Sequence, residues 1–147
     1  MGAGALIFNT KGELLVVKPS YKDYWSIPGG TIDENESPRN ACIREVKEEV
    51  GLDIEEAQFL CVDYIPKTEE KNENLQFTFY GGTLSAEKEK GIRLNKSEIS
   101  EYRFVNIHEA ETLFGGPARN LGKRFPLCLQ ALQNNAVLYL ENGEFPK

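Results

Sequence analysis

Three glutamates, Glu45, Glu48 and Glu49, fall at i, i+3 and i+4 in a stretch whose apolar residues repeat with helical spacing. Plotted at roughly 100° per residue, Cys42, Ile43, Val46 and Val50 share one arc, the face a helix buries, and the three glutamates share another. Ala41, one turn earlier on the glutamate side, leaves room above them. For the helix alone this is a poor choice. Like charges at these spacings cost about 0.2–0.5 kcal/mol per pair, and Glu48 and Glu49 face the negative end of the helix dipole. A divalent cation reverses both penalties, because hard cations seek carboxylate oxygen. The cluster therefore reads as a metal site, against the plain alternative of a solvated acidic face. Arg44 stands beside it, and its forked donors suit either of two tasks, orienting Glu45 or gripping a phosphate oxygen; a surface ion pair is its plain reading.

The elements that must position these side chains are legible on either side. Ser37 followed by Pro38 starts a helix, the hydroxyl capping free amides and the proline pre-set for the first turn. That helix is expected to run to Val50, with Gly51 in the left-handed position just past its end. Upstream, Ala3 to Phe8 and Glu13 to Val17 read as strands of a hairpin turned by Asn9, Thr10, Lys11 and Gly12. A loop from Pro19 to Gly30 holds the only tryptophan, Trp25, and ends in Pro28-Gly29-Gly30, where a close backbone approach is expected. Downstream, strands are expected at Phe59 to Ile65 and Gln76 to Leu84, separated by a polar surface insert, Lys67 to Asn74. A shorter strand follows at Tyr102 to Val105, then a helical turn from His108 to Phe114. A last helical segment from Pro117 to about Asn134 should be kinked or restarted by Pro126. Ala136 to Leu140 could add a late strand, with Gly143 to Lys147 frayed.

Around the glutamates the pattern extends further. Gly30, Glu36, Arg44, Glu45, Glu48, Glu49 and Gly51, with apolar Val46 and Leu52, form one continuous series. From average residue frequencies, agreement at seven identities and two apolar positions has a chance probability on the order of one in a billion per start position. The series resembles the Nudix box at every defining position, and the looser resemblance takes in Trp25 to Gly30 and the Glu98 to Val105 segment. It implies an α/β Nudix fold, a mixed β-sheet sandwiched between helices. It also implies metal-dependent hydrolysis of the diphosphate link of a nucleoside diphosphate derivative, with Mg2+ or Mn2+ as cofactor.

The resemblance assigns Glu45, Glu48 and Glu49 as metal ligands, joined by a backbone carbonyl of Gly29 or Gly30, and makes Glu36 a brace between loop and helix. Such a reaction needs an activated water and charge neutralised on the attacked and leaving groups. The proton acceptor is Glu45 or a carboxylate from a later loop, where Glu98 and Glu101 are both available; Glu98 is favoured. Trp25, Tyr64, Phe77 and Phe79 are candidates for an aromatic wall against a base, with core packing the plain reading of each. His108 reads as a surface residue. A non-catalytic nucleotide-sensing module is the alternative, and the intact acidic positions weigh against it.

Composition bounds the rest. At 147 residues, 40% hydrophobic and 27% charged, the chain is expected to fold as one domain, residues 1–147. A net charge of −6 disfavours a nucleic-acid polymer or an anionic membrane, leaving a small nucleotide as the expected partner; a homodimer is left open. Cys42, Cys61 and Cys128 are widely spaced among apolar residues and read as buried free thiols. No stretch is long and apolar enough for a membrane span, so a cytoplasmic location is expected.

Overall fold

The computed structural model describes residues 1–147. The chain runs β1 (Gly2–Asn9), β2 (Leu14–Pro19), β3 (Gly29–Thr31), α1 (Pro38–Val50), β4 (Gln58–Ile65), β5 (Asn74–Leu84) and α2 (Ala86–Lys90). Then come β6 (Ile99–Val105), α3 (Ile107–Leu113), a 3-10 turn at Gly116–Ala118, α4 (Asn120–Gln133) and β7 (Leu138–Glu141). Seven strands form one mixed sheet in the order β6-β2-β1-β5-β4-β7, with β3 paired to β1 off that path. The β1–β5 and β4–β7 pairs are parallel, the others antiparallel.

Alternation along β1 sends Ala3, Ala5 and Ile7 to one face and Leu6 to the other. On the first face Ala41, Cys42, Val46 and Val50 of α1 close a buried cluster; on the second, Phe114 and the α4 residues Leu121, Phe125 and Cys128 close another. The sheet is thus sandwiched between helices, as the resemblance implied. No helix is long and apolar enough to cross a membrane.

Local chemistry sets the element ends. Asn9 Oδ1 accepts from the Lys11 and Glu13 amides, both at 3.0 Å, and closes the β1–β2 turn. Ser37 Oγ accepts from the Asn40 amide at 3.1 Å, and Gly51, at φ 75°, returns its N–H to the Lys47 carbonyl. The three cysteines are free and buried, and burial pushes the Cys42 thiol up to about 12.

Several expectations are corrected. Pro126 does not restart its helix: α4 is continuous from Asn120 to Gln133. Proline removes one backbone hydrogen bond, but burial of Leu121, Phe125, Cys128 and Ala131 along one stripe outweighs that loss. The helix also starts later than Pro117, because Gly115 and Gly116 adopt positive φ and set off a separate turn. The chain end is tied further than expected: the Gly143 amide donates to Asp63 Oδ1 at 2.9 Å, and Glu144 bridges back to Glu141. Strand β3 and helix α2 are additions that neither periodicity nor composition marked.

Candidate metal centre and adjoining cavity

The glycine pair before the α1 loop sets the geometry. Strand β3 lies antiparallel on β1, with Gly4 opposite Gly29 and Ala3 opposite Gly30. A side chain at Gly29 would run into the Ala3 and Gly4 backbone, and one at Gly30 would overlap the Glu45 carboxyl, at 2.5–2.7 Å from a built Cβ. The two glycines therefore let strand and helix approach until a carboxylate rests on backbone. From that position the Gly29 amide donates to Glu49 Oε1 at 2.9 Å. Gly29 thus meets the acidic group through its N–H.

The far end of α1 brings in the third acid. A helix leaves its last carbonyls without intrahelical partners; here the Arg93 amide reaches the Val50 carbonyl at 2.8 Å and the Asn95 amide reaches that of Glu49 at 3.0 Å. The segment leading into β6 is thereby fastened to the end of α1, and Glu98 comes with it. One oxygen each from Glu45, Glu49 and Glu98 lies within 4.8 Å of the others. Glu48 does not join them. It is half-exposed and accepts from Arg44 Nη1 at 3.1 Å. Glu101 stands apart on β6, paired with Arg103 Nε at 3.2 Å.

Arg44 spends every donor on this architecture. Nε and Nη2 grip Glu36 at 2.7 and 2.9 Å, Nη2 also reaches the Thr31 carbonyl at 3.1 Å, and Nη1 is shared between Glu45 and Glu48 at 3.0 and 3.1 Å. A guanidinium has five N–H groups in a fixed fork, and these contacts take all of them. Of its two expected tasks, orienting Glu45 is the one the geometry supports; gripping phosphate finds no free donor. Glu36 is the brace expected of it: its hydrogen bonds from Arg44, and then from the Asp33 amide, hold its carboxyl down at about 2.

Glu49 and Glu45 resist ionisation. Burial pushes Glu49 up to about 8, the Gly29 N–H opposes this, and the charges of Glu45, Glu98 and Glu48 add to it. Glu45 is also raised, by burial first and by Glu48 and Glu98 against the opposing Arg44. Three mutually repelling carboxylates in a partly dry recess form the hard-oxygen donor set that a divalent cation fits. In protein stripped of metal, Glu49 has a defined signature. Above pH 4.5 the native state keeps a proton that the unfolded chain has released, so this group makes stability fall as pH rises, until about pH 8. Thermal melts in chelator should show the Glu49→Gln protein gaining on the parent across that window; a constant difference would contradict it.

A cavity of about 690 Å³ adjoins Glu49, Gly29 and Gly30, within the range of about 300–1,000 Å³ usual for small-molecule sites. The expected aromatic wall is largely replaced. Trp25 is buried on the α4 side of the sheet beneath Arg103, 4.6 Å above its ring, and does not line the cavity. Tyr64 is turned to Glu73, its hydroxyl at 2.6 Å, and does not line it either. Phe79 is buried in the α1-side core. Phe77 does reach the wall, while packing on Phe59. Tyr21 and Tyr24, both in the Pro19 to Gly30 loop, are the aromatics that sequence reasoning missed, with Arg119 stacked 3.6 Å over the Tyr24 ring. Their only signal was membership of a loop already marked for close approach. His108 is exposed on α3.

Gly30→Ala offers a local test of the centre. The atoms nearest the added methyl are those of the Glu45 carboxyl, the end of a side chain, so the fold should survive, with Tm changed by a few degrees, while the carboxylate is displaced from its Arg44 hydrogen bond. Metal affinity is expected to fall about tenfold or more; a variant binding metal like the parent would show that Glu45 does not depend on this gap.

Acid side chains delivered by one helix and one loop onto a glycine-bearing strand, beside a ligand-sized cavity in a sandwiched mixed sheet, define an α/β protein whose acidic cluster could hold a metal ion. The NUDIX domain model matches residues 1–125, and the chain belongs to that family. An RNA pyrophosphohydrolase of Hydrogenovibrio crunogenus is 44% identical over 57 residues, 39% of this chain and 34% of that protein. The chain spans only 7–36% of the length of the curated relatives it matches. Among solved structures, a MutT protein from Methanosarcina mazei Go1 superposes with TM-score 0.69 at 24% identity, covering 91% of this chain and 92% of that one. An ADP-ribose pyrophosphatase from Streptococcus suis also gives TM-score 0.69 at 24% identity, covering 95% and 96%. At that identity the likeness establishes the fold.

Proposed function

We propose that the chain hydrolyses the diphosphate link of a nucleoside diphosphate derivative, releasing a mononucleotide and a phosphorylated product or pyrophosphate. The observation that carries this is the convergence of Glu45, Glu49 and Glu98 beside a cavity of ligand size. Glu45 and Glu49 are the principal ligands for Mg2+ or Mn2+, each held by an N–H donor, Arg44 for the first and Gly29 for the second. Bound there, the cation would lower the pKa of a water and neutralise charge on phosphate oxygens. Glu98 rides on a loop rather than on the braced helix, and takes the proton of the attacking water. Glu48 holds Arg44 at the rim, and through it the aim of Glu45. Phe77, Tyr24 and Tyr21 offer faces to the substrate's planar or apolar parts.

The experiment is a product analysis. Purified protein with Mg2+ or Mn2+ is incubated with nucleoside triphosphates, ADP-ribose, nucleotide sugars, dinucleoside polyphosphates and RNA bearing a 5′-triphosphate. At least one compound should yield a mononucleotide, or inorganic pyrophosphate, only when metal is present. Binding without turnover across the panel would identify a sensing module instead.

A further inference from the structure

The protein is acidic overall, with 23 acids against 17 bases, yet the cavity wall is not. Lys22, Lys71, Arg119 and Arg124 line it, against Glu49 as the one acid. Of the four cations only Arg124 is matched by a carboxylate, Asp63 at 2.9 Å. Arg119 is partly buried, and burial pulls its pKa below the ordinary guanidinium range. It is stabilised by the Tyr24 ring and by the Trp25 and Phe114 carbonyls, both of which accept from Nη1. Its Nε and Nη2 groups are left for an oxyanion. A half-buried cation with no counter-charge is unfavourable unless something else supplies the charge.

Location separates this wall from the acids. Glu45 and Glu49 project from α1, packed on one face of the sheet; Arg119 immediately precedes α4 and Arg124 lies on it, and α4 packs on the other face. The cavity passes between them around the strand ends at Gly2 to Gly4 of β1 and Asn74 and Gln76 of β5. Glu49 and the cations Arg119 and Arg124 therefore meet the cavity from opposite faces of the sheet. We propose that the α4 wall recognises a second anionic group of the substrate, a phosphate monoester or carboxylate carried beyond the scissile diphosphate, with Arg119 as its principal contact. This rests on the hydrolase reading above and narrows it to substrates charged at both ends.

The test uses matched pairs that differ by one distal anion: NADPH and NADH, coenzyme A and dephospho-coenzyme A, UDP-glucuronate and UDP-glucose. The first two pairs probe phosphate, the third carboxylate. The charged member of at least one pair should be favoured about tenfold or more in kcat/KM, the size of one charge-assisted contact, although the net charge of −6 would by itself disfavour it. Arg119→Gln should collapse the ratio towards unity. If that variant fails to fold, Lys71→Gln, at an exposed position, should lower the ratio, and added salt should shrink it in the parent. Equal kcat/KM within all three pairs overturns the proposal. If no compound is cleaved, the hydrolase reading fails separately, and the same ratios are read as Kd by calorimetry with Mg2+; equal or absent binding then overturns the proposal.

Discussion

Glu49→Gln is expected to lower kcat/KM at least about a hundredfold, the scale of losing a group that helps activate water or stabilise charge at the reacting centre. Glutamine is nearly isosteric and can still accept the Gly29 N–H through its amide oxygen, which holds Glu49 Oε1 at 2.9 Å. The loss should therefore come without unfolding. Removing a buried carboxyl whose neighbours repel its charge should leave the metal-free protein at pH 8 as stable as the parent or more so, because Glu49 is pushed up to about 8 in that state. Stabilisation by added Mg2+ should shrink in the same variant. Two measurements check this, steady-state kinetics and thermal melts with and without metal. A variant with unchanged rate and unchanged Mg2+ response would remove Glu49 from the centre while leaving the fold untouched.

Asp63→Ala is expected to cost about 3–5 kcal/mol of stability, as for breaking a buried ion pair on one side. Asp63 is fully buried on β4. It accepts from Arg124 Nη1 and from the Gly143 amide, both at 2.9 Å, and so ties α4 and the chain end to the sheet. Alanine leaves the guanidinium without its counter-charge and the amide without its acceptor. Arg124→Met alone should also destabilise, and the Asp63→Leu, Arg124→Met pair should recover part of the loss, since two apolar groups leave no charge stranded. Urea titrations measure all four proteins. A loss below about 1 kcal/mol for Asp63→Ala would place this pair with ordinary surface bridges.

Local rules reached a large part of the molecule. Helix α1 came out with both ends right because Ser37, Pro38 and Gly51 act within one turn of the residues they control. The β1–β2 turn followed from Asn9 to Gly12 for the same reason. Strand β3 escaped because three residues, two of them glycine, carry no periodicity; they form a strand only where β1 offers a partner. Pro126 did not restart the helix because propensity is a local penalty and the burial that overrides it is supplied by the sheet.

The acidic cluster divides in the same way. Sequence by itself determined that Glu45, Glu48 and Glu49 share a helical face and that a glycine pair precedes them, since helical period and glycine chemistry need no distant partner. Tertiary structure decided which acids meet: Glu48 was taken by Arg44, and Glu98 was carried in from 49 positions away by amides fastened to the α1 carbonyls. It also decided which aromatics and cations face the cavity, replacing Trp25 and Tyr64 with Tyr21, Tyr24 and Arg119. The reason is that a side chain's direction within an element follows from backbone period, whereas its neighbours across the cavity follow from how sheet and helices pack.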